Sequence, residues 1–134
     1  MLKQDPYRNG DAAYQAAGQY EGLKKLADDF YRLMDSCPEF QQIRELHKED
    51  LSDVSEKLAL FLCGYFNGPD LFHQKYGAFR LAAFHQHIPI GAAERDAWMA
   101  CMKRAIDKQP WEQSFKDHAF LRLSTPADRC RSRP

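Results

Sequence analysis

The sequence predicts an all-α domain, on three observations. Apolar residues recur with a helical period in several long stretches, few segments alternate with period two, and β-branched runs are scarce. From 22 to 35, "GLKKLADDFYRLMD" places Leu23, Leu26, Ala27, Phe30, Tyr31 and Met34 on one stripe. Pro38 disfavours helical geometry at Cys37 and closes that helix, and "PEFQQIREL" predicts a short restart with proline at its first position. Ser52 is an expected N-cap, with Asp53 and Glu56 in the first turn of a helix whose face is Val54, Leu58, Phe61, Leu62 and Tyr65. That helix stops at "NGPD" (67–70), and a looser stretch follows over 70–85. "GAAERDAWMACMKRAID" (91–107) restores the period through Trp98, Met102, Ala105 and Ile106, and a last helix is expected from Pro110 to about Leu123.

At 134 residues the chain is the size of one domain with one core, and neither a repeat nor a linker divides it. Residues 1–18 read as an N-terminal extension and 124–134 as a polar tail. Hydrophobic residues make up 44% and charged residues 28%, which is ordinary for a globular protein. Basic and acidic residues balance at 19 each, so neither nucleic acid nor an anionic membrane is the expected partner. Without a signal-peptide pattern or a ~20-residue apolar run, the expected location is the cytoplasm. Cys37, Cys63, Cys101 and Cys130 lie far apart with no C-x-x-C pair, which reads as reduced thiols rather than a zinc site or a disulfide framework.

The candidate chemistry centres on "FRLAAFHQHIPIG" (79–91). His85 and His87 are two residues apart, so a regular helix points them to different sides and at most one is a ligand of a given metal. His85 falls one turn after Leu81 and faces inward, either as a core histidine or as the single protein ligand of a haem iron. The second reading needs an apolar pocket with a few placed donors. Nine Phe, six Tyr and two Trp supply apolar bulk, and Tyr31 and Trp98 each bring a polar atom to an inner stripe. For each of these two, core packing against a local backbone partner is the alternative.

Taken together, "DDFYRLMD", "LHKEDL", "EKLALFLCGYFNGPDLF", "KYGAFRLAAFHQHIPIG" and "ERDAWMACM" resemble a group II truncated haemoglobin, in order and spacing, over residues 20 to 107. The resemblance implies a two-over-two helical sandwich around haem b. It makes His85 the proximal iron ligand, and Trp98, Tyr31 and His47 the distal polar residues. Val54, Leu58, Phe61 and Leu62 would wall the distal pocket, with Val54 at the gate, while Tyr76, Arg80, Phe84 and Met102 complete the expected cofactor contacts. Tyr31 or His47 binding iron in the unliganded state stays open. Two features depart from the pattern: "QYEGLKKL" stands where a Gly-Gly pair is frequent, and the part after 107 is short.

The implied function is binding of O2, CO, NO or peroxide at five-coordinate iron. Peroxidase-like or nitric oxide dioxygenase chemistry, fed by an unidentified reductase, is expected over bulk O2 transport, and reversible storage or sensing is the alternative. The expected assembly is a monomer or weak homodimer. A metal-dependent hydrolase built on His47, Glu49 and Asp50 and a helical interaction module without cofactor are the rival classes; adjacent residues on a helix diverge, which weighs against the first.

Overall fold

A computed structural model describes residues 7, 9–46, 50–77 and 90–130, and all regular structure among them is helical. The elements are α1 (Ala12–Ala16), α2 (Gln19–Ser36), a 3₁₀ turn (Pro38–Phe40), α3 (Gln41–Arg44), α4 (Leu51–Tyr65), α5 (Leu71–Tyr76), α6 (Ala92–Asp107) and α7 (Gln113–Arg129). α2 packs against α4, α6 packs against α7, and α2 also packs on α6, which joins the two pairs into a two-over-two sandwich.

α2 is the hub because its stripe is closed from both sides. Leu23, Leu26, Ala27, Phe30 and Met34 are fully buried and Tyr31 nearly so. Each such leucine or phenylalanine contributes about 1.5–3 kcal/mol by leaving water. Opposite them lie Leu62, Cys63 and Phe66 from the α4 end, and Cys101, Met102 and Ile106 from α6. Burial lifts the Cys63 thiol to about 11 and the Cys101 thiol to about 12, so both are protonated, apolar fillers at neutral pH.

The start of α2 depends on two glycines. Gly18 stands before the first turn at φ 88°, in the left-handed region. A Cβ on Gly22 would sit 1.8 Å from the Ala17 carbonyl oxygen, so the chain bends there only because no side chain is present. The stretch that lacks a Gly-Gly pair therefore makes its bend with glycines four residues apart.

Three expectations change. The α4 cap is Asp50, not Ser52: the Asp50 carboxylate accepts the Ser52 N–H at 2.8 Å and the Ser52 hydroxyl at 2.6 Å. The looser stretch after "NGPD" contains a further helix, α5. Finally, α7 runs to Arg129, through residues read as tail. Pro126 lies inside that helix and has no N–H for the Arg122 carbonyl one turn back. The Tyr65 hydroxyl donates to that same carbonyl instead. In return the Arg122 guanidinium donates to the Tyr65 carbonyl at 3.0 Å and lies 4.9 Å from the Tyr65 ring centroid, so a reciprocal clasp holds the end of α4 on α7. The far end is tied by Arg95 to Asp128 at 2.7 Å, which fixes α6 and α7 as antiparallel.

Candidate functional site

Tyr31 and Trp98 come from separate helices, and one residue joins them. Phe30, fully buried on α2, meets the Tyr31 ring at 4.9 Å and the Trp98 ring at 5.1 Å between centroids, edge-to-face in both cases (70° and 62°). The phenol of Tyr31 and the indole of Trp98 thus flank a single aromatic wedge at the α2–α6 contact. The Trp98 side chain forms no hydrogen bond among the described residues, which leaves its N–H as an available donor.

The expected pocket-wall residues are carried by α4. Val54, Leu58 and Phe61 lie on one stripe and are only partly buried, although they pack against the edge of the core. Phe61 stacks on Tyr65 at 5.7 Å and 15°, and meets Phe72 of α5 edge-on at 6.5 Å. Phe61, Tyr65 and Phe72 also line a cleft of about 520 Å³ whose polar rim includes Asn67, Asp70 and His73. His73 Nδ1 and an Asp70 carboxylate oxygen stand 2.8 Å apart.

The remaining expected site residues separate into three groups. Leu62 and Met102 are fully buried within the core, on the inner side of their helices. Tyr76 ends α5 with 39% of its surface exposed, and Lys57 Nζ lies 5.8 Å from its ring centroid. His47, Arg80, Phe84, His85 and His87 lie outside the described residues. Of the rival hydrolase set, His47 and Glu49 also lie outside them, and Asp50 is engaged in capping α4.

Sequence reasoning missed two residues. Phe30 was legible only as core, because its role lies in a contact with a helix 68 positions away. Lys57 carried a readable signal, a single cation interrupting the apolar face of α4; it pairs with Asp53 at 3.2 Å and stands over Tyr76.

A partly bare apolar stripe, a buried phenol, an indole N–H without a partner among the described residues and a rim lysine fit a large, flat, apolar macrocycle that carries carboxylates and binds a small polar ligand. These residues therefore fit a haem.

Comparison with known proteins agrees. The model of the family described as "Bacterial-like globin" matches residues 12–130. A group 2 truncated hemoglobin of Bacillus subtilis is 34% identical over 117 residues, 87% of this chain and 86% of that protein. The group II 2-on-2 hemoglobin of Agrobacterium tumefaciens superposes with a TM-score of 0.85 at 32% identity, covering 91% of this chain and 95% of that one. A truncated oxygen-avid haemoglobin from Bacillus subtilis superposes at 0.80 with 33% identity, covering 89% and 98%. The fold and these likenesses define a two-over-two globin.

The chain belongs to the bacterial-like globin family, among its group II truncated haemoglobins. As a globin it binds small gaseous ligands such as O2 at haem. Among the described residues, no helix is long and apolar enough to cross a membrane.

Proposed function

We propose that the haem is of the b type, held by His85 as proximal ligand, and that Tyr31 and Trp98 are the distal donors. When bound, the haem supplies reversible coordination of O2, CO or NO. The observation that supports the donor assignment is the Phe30 contact that Tyr31 and Trp98 share, together with a Trp98 indole that has no hydrogen-bond partner among the described residues. Val54, Leu58 and Phe61 exclude water from one face of the ligand, with Val54 at the gate; Tyr76, Arg80 and Phe84 complete the enclosure, and Leu62 and Met102, sealed in the core, back it rather than line it. Lys57 and Arg80 supply positive charge for the carboxylates of the macrocycle. His47 is a third distal group and a proton donor near neutral pH.

Each hydrogen bond to a charged acceptor is worth roughly 1.5–3 kcal/mol. At about 1.4 kcal/mol per decade, two of them slow ligand release by roughly two to four orders of magnitude. Such slow release suits chemistry on the ligand better than bulk O2 delivery, and the oxygen-avid relative from Bacillus subtilis supports that reading. Combining O2 with nitric oxide to give nitrate consumes one electron, which an external cytoplasmic reductase must return; reduction of peroxide draws on the same supply. The protein then works as a monomer or weak homodimer.

Trp98→Phe tests the assignment by stopped-flow O2 displacement. The expected outcome is an O2 dissociation rate raised at least tenfold; an unchanged rate removes Trp98 as a donor.

A further inference from the structure

We infer that Phe30 is a positioning residue for ligand binding: it sets the angle between the two distal donors without touching the ligand. The inference rests on the proposed roles of Tyr31 and Trp98. Phe30 is 0% exposed and meets both rings edge-to-face, so the tilt of each ring is set against the same rigid surface.

The backbone around Phe30 is docked onto α6 by two further contacts. The Cys101 thiol donates to the Phe30 carbonyl at 3.4 Å. The Gln109 side-chain amide donates to the Asp29 carboxylate and to the Ala105 carbonyl, both at 2.9 Å. Trp98, Cys101 and Ala105 recur at three- and four-residue intervals on α6, and Gln109 follows just past the end of that helix, reaching back to the Ala105 carbonyl. Neither helix can slide or roll at this point without breaking a buried contact. The wedge thereby converts two independent side chains into one donor pair of fixed separation, and a change at Phe30 must disturb both donors together.

The test compares Phe30→Leu with Trp98→Phe and with Leu123→Ala, a core truncation on α7 at a residue 1% exposed. All are read as the ferrous protein with O2 and with CO. The protein has two tryptophans, and the Trp111 indole N–H is bonded to the Ala17 carbonyl at 3.1 Å, so its NMR resonance is an internal reference. Phe30→Leu is expected to raise the O2 dissociation rate roughly three- to tenfold. It should also split or broaden the C–O stretching band and the Trp98 indole resonance, leaving Trp111 unmoved. Leu123→Ala should change none of these.

If Trp98→Phe accelerates release while Phe30→Leu behaves like Leu123→Ala, the positioning role is overturned and the donor roles stand. If Trp98→Phe leaves release unchanged, the donor reading fails and this inference falls with it. Should Phe30→Leu fail to fold, Phe30→Met, which keeps more of the side-chain volume, is judged by the same outcomes.

Discussion

The α2–α6 contact and the outer stripe of α4 are built from similar apolar residues but end differently. At the first, Leu26, Phe30, Cys101 and Met102 are all sealed from water. At the second, Val54, Leu58 and Phe61 repeat at helical spacing and remain partly open, although the opposite side of the same helix buries Leu62 and Cys63 completely. A helix of a small domain does not ordinarily leave a second apolar stripe uncovered. On the proposed reading the difference separates scaffold from site: α2 and α6 hold Tyr31 and Trp98, and α4 presents the surface a haem would cover.

The largest effect that follows is on stability without haem. Leu26→Ala should cost the cofactor-free protein about 2–5 kcal/mol in urea unfolding, since it empties a sealed position. Leu58→Ala should cost it less than about 1 kcal/mol, because less contact is lost at a half-open one. With hemin added, the Leu58→Ala penalty should grow, as stability becomes linked to cofactor affinity. Equal penalties for the two variants without hemin would erase the comparison.

Gln109→Ala comes next. It removes the amide donor from the buried Asp29 carboxylate and should cost about 1–3 kcal/mol. Arg32 still holds Asp29 at 2.9 Å, so unfolding should stay cooperative, and a loss below about 0.5 kcal/mol would show that the α2–α6 dock does not depend on this tie.

The smallest effect appears only in alkali. The hydrogen bond from Tyr20 to the Glu56 carboxylate, aided by burial, raises the phenol from 10.0 to about 12. Because the folded value is the higher one, this contribution is fully present below pH 10 and is lost as pH rises toward about 12. Tyr20→Phe should therefore flatten the alkaline limb of the stability profile measured by thermal melts from pH 8 to pH 11; an unaltered limb would place the loss elsewhere.

The period of apolar residues made α2, α4 and α6 legible, and the inward turn of Tyr31 followed from the same stripe. What escaped depends on contacts distant in sequence. "STPADR" reads as a polar tail, yet it is helical because Tyr65 serves the carbonyl that Pro126 leaves and Arg95 pairs with Asp128. The Asp50 cap escaped because Asp and Ser are both good caps two residues apart, and only geometry chooses between them. In the site, Tyr31 and Trp98 could be named singly from the sequence, but their juxtaposition through Phe30 could not, since it lies between helices rather than along one.

The most direct test of the claim that the open stripe of α4 and the Tyr31–Trp98 pair enclose a haem held by His85 is an absorption spectrum. It is recorded on the hemin-loaded protein in ferric, ferrous and CO-bound forms, with His85→Ala beside it. The account predicts a strong Soret band that shifts on CO binding, and its loss or displacement toward that of unligated hemin in the variant. An identical spectrum in His85→Ala would contradict the ligand assignment, and no Soret band after loading would return the α4 stripe and the distal aromatics to packing alone.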